Sequence, residues 1–192
     1  PYHSEKDQFG AAKNAVITSI AKLVAASCDY TKAFLSFQEY FENLRKDPAR
    51  WGKPLSALLG ALDAQLGLEI AAIGGKDSMS GSFLDMDVPP TLISFAIAPA
   101  EAAKVISPEF KEPGSRVYLF SGDGSYESIR ENWARIKELV DEGIVRSAWA
   151  VSEGGVIGGI FKMAVGNCIG FRSEDDSRLL DAPAGSIICE CT

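Results

Sequence analysis

The sequence predicts a mixed α/β fold, of the α+β kind, with helices packed on mixed sheets in two lobes. Three observations predict it. Apolar residues recur at helical spacing in several stretches, as at Ala12, Val16, Ile20 and Leu23, which puts them on one face of a helix. Short runs rich in branched and aromatic residues, at 91–98 and 116–120, read as strands. Between Pro99 and Ser115 the chain carries Pro108, Pro113 and Gly114, a breaker-rich segment that divides a lobe 1–106 from a lobe 107–192.

Composition narrows the function. With 192 residues, 46% of them hydrophobic, the chain can build one full domain or two small ones. Its net charge is −7 and its longest basic cluster is Arg45-Lys46, so no nucleic-acid partner is expected. No run approaches the ~20 apolar residues of a membrane span, and no basic start leads into an apolar block. Cys28, Cys168, Cys189 and Cys191 are too unevenly spaced for a disulfide framework. The expected compartment is the cytoplasm. Pro1, where a Met would open a complete chain, fits an internal segment.

In chain order, Gln8 to Ser27 reads as the first amphipathic helix. A second helix is expected from about Thr31, with Phe34, Phe37, Phe41 and Leu44 on its packed face, Gln38 and Glu39 on its solvated edge, and Asp47-Pro48 as its stop. A third helix follows, with Pro54 in its first turn, Leu55, Leu58, Leu62 and Leu66 as its stripe, and Gly67 just past its end. Then come an apolar run at 68–72, a glycine loop, and a strand from Thr91 to Ala98. That strand has Ile93, Phe95 and Ile97 on one face and small residues on the other, where a helix should pack closely.

After the boundary, Arg116 to Phe120 reads as a strand. Ser125 caps a helix through Ile129, Trp133, Ile136 and Val140, Gly143 ends it, and Ile144 to Val151 forms a strand, completing a βαβ unit. Ser152-Glu153-Gly154-Gly155 opens a further helix through Ile160 and Met163. Its starting amides suit an anion and Glu153 a cation or hydroxyl; alternatively Ser152 is an N-cap and the glycines serve close packing. In Ser186 to Cys191 the two thiols share one side of a strand, a core arrangement rather than a metal clip.

The chemistry gathers at Gly74-Gly75-Lys76-Asp77-Ser78-Met79-Ser80-Gly81. Two glycines free to take positive φ, then an ammonium, a carboxylate and two hydroxyls, suit phosphate with a hydrated metal; the competing reading is a plain solvated turn. The run is no P-loop, because Ile70 stands where that pattern needs glycine and Asp77 where it needs a hydroxyl. Nor does Gly122-Asp123-Gly124 continue into a dinucleotide fingerprint. His3 is the sole histidine, which excludes Ser-His-Asp and Cys-His relays and histidine-built zinc sites.

Gly75-Lys76-Asp77-Ser78-Met79-Ser80 with Pro89-Pro90-Thr91-Leu92-Ile93-Ser94 resembles the second synthase half of the large phosphoribosylformylglycinamidine synthases. Leu35-Ser36-Phe37-Gln38-Glu39-Tyr40-Phe41, Arg50-Trp51-Gly52-Lys53-Pro54, Val151-Ser152-Glu153-Gly154-Gly155 and Gly166-Asn167-Cys168-Ile169-Gly170 extend the resemblance over nearly the whole chain. It implies two partial lobes of the aminoimidazole ribonucleotide synthetase-like fold. It also implies a fragment of the ATP-dependent ligase that makes formylglycinamidine ribonucleotide from formylglycinamide ribonucleotide and glutamine in purine biosynthesis.

The implied cofactors are ATP or ADP with Mg2+, held as an auxiliary nucleotide that is not turned over. The implied partners are the enzyme's remaining domains, including a glutaminase. By resemblance Gly75, Lys76, Asp77, Ser78 and Ser80 form a phosphate and magnesium loop, and Ser152, Gly154 and Gly155 the corresponding turn of the second lobe, with Asp77 and Glu153 toward the metal. Many relatives have Asp-Gly-Gly where this chain has Glu153-Gly154-Gly155. The fragment alone is expected to be inactive and to self-associate through apolar strands at 92–98 and 116–121. Alternatives are a non-catalytic nucleotide-binding scaffold and a kinase-like relative, which would need more aspartates than Asp77, Asp85 and Asp87.

Overall fold

A computed structural model describes residues 3–173 and 175–192. The chain forms two compact units. One runs to Ser19 and resumes from Phe34 to Ile97; the other comprises Ile20–Ala33 and Ala98–Thr192. Along the chain the change-over thus falls at Ile97/Ala98 rather than after residue 106, and residues 20–33 group with the later unit.

Helix α1 (Gln8–Ala25) carries the expected stripe, with Ala12, Val16 and Ile20 buried. The expected second helix is instead a strand. Asp29 caps a short 3-10 turn, Tyr30–Lys32, and β1 (Phe34–Tyr40) follows. Leu35, Glu39 and Phe41 are buried while Phe34 and Tyr40 are exposed, an alternation of period two. Asp47-Pro48 starts a helix rather than stopping one. Asp47 caps α2 (Pro48–Leu68), accepting from the Ala49 amide at 2.9 Å, and Pro48 sits in the first turn, where a missing N–H costs nothing. Pro54 and Gly67 therefore lie inside the helix, and Glu69, at φ 59°, ends it.

The first unit's sheet has the order β2-β1-β5, with β2 (Ala72–Ser78) parallel to β1 and β5 (Thr91–Ile97) antiparallel to it. Between them a small hairpin joins β3 (Ser82–Phe83) to β4 (Met86–Asp87). The small face of β5 does lie under a helix, since Ser94 Oγ and Ser19 Oγ of α1 are 2.8 Å apart. Ile93, Phe95 and Ile97 face outward and are exposed.

In the second unit, β6 (Arg116–Phe120), α3 (Tyr126–Asp141) and β7 (Val145–Ala150) follow the predicted order, then α4 (Gly155–Asn167) and β8 (Ile187–Cys191). Strand β8 lies between β6 and β7 and antiparallel to both, so the βαβ unit is split rather than closed. Ser125 caps α3 as expected. Trp133, fully buried, donates its indole N–H to the Gly185 carbonyl at 2.8 Å and meets Tyr30 edge-on at 5.6 Å. Phe110, Val151, Val156, Ile160, Met163 and Ile188 form the core under α4. Glu190, with no exposed surface, accepts from the Lys111 and Glu112 amides at 2.8 and 3.0 Å and from Ser147 Oγ at 2.8 Å.

Candidate functional site

The glycine run is not a loop. Gly74 to Ser78 lie within β2, and neither Gly74 nor Gly75 takes positive φ. What Gly75 requires is space, because a Cβ there would stand 2.6 Å from the Phe37 carbonyl oxygen. The register fixes which residues share a face. Gly74, Lys76 and Ser78 pair with Ser36, Gln38 and Tyr40, and those in turn with Phe95, Ile93 and Thr91. Gly75 and Asp77 pair with Phe37 and Glu39 on the opposite, helix-covered face. Alternation therefore separates Lys76 from Asp77, which a shared cradle would have joined. Beyond the strand, Ser78 Oγ and Ser80 Oγ are 3.0 Å apart, and Met79 packs on the cluster of Ala12, Phe41 and Ala57.

Beside Asp77 stands a residue the sequence reading assigned to a solvated edge. Glu39 is 3% exposed, and neither of its carboxylate oxygens has a hydrogen-bond partner. Burial, reinforced by the charge of Asp77, pushes its carboxyl up to about 7. A bare buried carboxylate is costly unless a proton or cation neutralises it. Glu42, also buried, differs: one oxygen accepts from Lys53 Nζ at 2.5 Å, and the other is bare. The signal for Glu39 was present in the alternation of Leu35, Phe37, Glu39 and Phe41.

Ser152, Glu153, Gly154 and Gly155 belong to the second unit, whereas residues 75–80 belong to the first. Gly154 (φ 91°), not Ser152, caps α4, and Ser152 contributes its carbonyl to the Gly155 amide at 3.0 Å. The next two amides, of Val156 and Ile157, donate to the carbonyls of Asp181 and Leu179 at 2.9 and 2.8 Å. Donors expected to receive an anion are thus taken by the chain itself. Close packing accounts for the glycines: a Cβ on Gly155 would approach the Leu180 and Asp181 carbonyls at 2.9 Å, and one on Gly159 the Trp149 and Ile188 side chains at 2.7 Å. Glu153 is exposed.

The acidic hairpin is also committed internally. Asp87 accepts from Arg50 at 2.6 Å and from Ser82 Oγ at 2.5 Å, and these bonds hold its carboxyl below the usual range. Among the described residues no group of three or more His, Cys, Asp or Glu side chains is placed to hold a metal. Cys189 and Cys191 are buried, and burial raises both thiols. Among the described residues no helix is long and apolar enough to cross a membrane.

No protein-family model and no curated protein matches the chain. Solved structures do. PurL of Thermotoga maritima in complex with ATP superposes with a TM-score of 0.70 at 14% identity, over 98% of this chain and 34% of that one. Phosphoribosylformylglycinamidine synthase II of the same organism gives 0.61 at 12%, over 97% and 34%. The hydrogenase maturation protein HypE in complex with ATP gives 0.60 at 16%, over 94% and 62%. The chain spans about a third of the length of the PurL structures it matches. The likeness is one of fold, and the fold is the aminoimidazole ribonucleotide synthetase-like fold that the sequence resemblance implied.

Proposed function

We propose that the chain is part of an ATP-dependent ligase of the phosphoribosylformylglycinamidine synthase kind, contributing an auxiliary nucleotide and magnesium site and inactive alone. The observation that carries this reading is a coincidence of two likenesses, one of sequence and one of fold. The Gly-Lys-Asp-Ser-Met-Ser run resembles that enzyme, and the fold along 98% of the chain resembles PurL captured with ATP.

The residues fit the cofactors unequally. Lys76 and Ser78 present an ammonium and a hydroxyl on one face of β2, with Ser80 just beyond, and suit phosphate oxygens. Asp77 with the bare Glu39 carboxylate suits a magnesium ion, which commonly takes one or two carboxylates and fills its shell with water and phosphate. Glu39 thus joins Asp77 as a candidate ligand. Ser152, Gly154, Gly155 and Glu153 fit poorly, because the α4 amides are satisfied internally. A nucleotide bound here without turnover supplies charge and binding energy to the folded state, and this chain's residues only bind and orient it. With Asp87 bound to Arg50, no observation favours a kinase-like reading.

The experiment is Asp77→Asn in the full-length enzyme. Expected are loss of co-purifying nucleotide and a lower melting temperature, because a ligand at a hundred times its dissociation constant stabilises by ~2.7 kcal/mol. Turnover should fall only indirectly. Unchanged nucleotide content and melting temperature would reduce Asp77 to a strand residue and sink the assignment.

A further inference from the structure

Helix α2 is patterned inside out. Its buried row is small: Pro54, Ala57, Gly60, Ala61 and Ala64. Its exposed row is large. Trp51, Leu55, Leu58, Leu59, Leu62 and Leu66 are 58, 58, 47, 48, 47 and 70% exposed. From Trp51 to Leu66, Gly52 is the one exposed position of the helix that carries no large apolar side chain. A soluble surface seldom leaves such a row uncovered.

The spacing identifies what covers it. The intervals along the row run four, three, one, three, four, which reads the same in both directions. We infer that the row is the contact between two copies of this chain, with the α2 helices antiparallel about a two-fold axis between Leu58 and Leu59. The axis brings Trp51 to Leu66 of the second copy, Leu55 to Leu62, and Leu58 to Leu59, so each side chain meets an apolar one. It also opposes the two macrodipoles.

The contact is ~22 Å long at helical rise. Six half-exposed side chains at on the order of 80–100 Å² each bury about 1,000–1,200 Å² over both copies, the lower end of what a specific dimer needs. Gly52 leaves room for close approach beside each terminal pair of Trp51 with Leu66 of the second copy.

Sedimentation velocity on the 192-residue chain at tens of micromolar tests this. The parent should be a dimer, Leu58→Glu and Leu62→Glu should each weaken it at least tenfold, and Phe95→Glu, on the outer sheet face, should leave it intact. These positions are exposed, so circular dichroism should report unchanged helix. In a Cys168→Ser background, mild oxidation of Leu59→Cys should give a covalent dimer, because a residue beside the axis meets its own counterpart. A monomeric parent, a dimer lost in Phe95→Glu but kept in Leu58→Glu, or no cross-link at residue 59 would each overturn the inference.

Discussion

Replacing Glu190 with Gln should destabilise the second unit by an amount readable from its contacts. The carboxylate accepts from two backbone amides and the Ser147 hydroxyl, with no water-exposed surface to compensate. Charge-assisted bonds are worth roughly 1.5–3 kcal/mol each. Gln keeps the volume and one acceptor oxygen but turns an amide donor toward groups that are themselves donors. A loss of about 2–4 kcal/mol follows, and at this chain length the melting temperature should drop by roughly 5–15 °C. The pH dependence gives a second readout. Burial alone would raise this carboxyl, but the bonds from Lys111, Ser147 and Glu112 outweigh it and hold the group below its ordinary value. A depressed folded-state value means stabilisation that is present above the unfolded value and lost as pH falls through the folded one. Thermal melts from pH 7 to pH 3 should therefore show the two proteins converging at the acid end. Equal melting temperatures at pH 7, or a constant gap down to pH 3, would refute the reasoning.

Gly155→Ala should cost about 1–3 kcal/mol in chemical denaturation, since φ is 65° and the new Cβ meets two carbonyl oxygens at 2.9 Å; a midpoint unchanged from the parent would contradict it. The purified 192-residue chain should show no glutamine-dependent ATP hydrolysis, because its sole histidine, His3, leaves no Cys-His pair to release ammonia from glutamine. Measured turnover would contradict the reading of an inactive part.

What could be read from the sequence depended on whether the deciding forces were local. Ser125, Trp133 and the α3 stripe were legible because cap, periodicity and burial agree within one segment. The stretch from Phe34 to Phe41 carries two periods at once. Phe34, Phe37 and Phe41 fit a helix, while Leu35, Phe37, Glu39 and Phe41 fit a strand. Pairing with residues distant in sequence, on both sides of β1, decides between them. For α2 the sequence shows the helical period but not its phase: the large leucines read as the packed stripe, whereas alanines and a glycine hold the inward row. The two-lobed fold survived these errors, since it follows from element order and the breaker segment; the site did not survive intact.

That loss has a physical consequence at the candidate site. A glycine loop lets neighbouring side chains converge on one ligand, whereas a strand sends Lys76 and Asp77 to opposite faces. Because β2 is an edge strand of its sheet and both residues are exposed, one ligand can still reach both by wrapping over the edge. The alternative is two separate sites, an anion site on the outer face and a cation site against Glu39. A double-mutant cycle of Lys76→Ala and Asp77→Asn, read as nucleotide dissociation constants in the full-length enzyme, distinguishes them. Groups sharing a ligand couple by ~0.5–3 kcal/mol, while independent ones add within ~0.5 kcal/mol. We expect coupling of at least 1 kcal/mol by that scale, because magnesium held by Asp77 would sit on the same phosphates that Lys76 contacts. Strict additivity would mean that β2 carries two chemistries rather than one nucleotide.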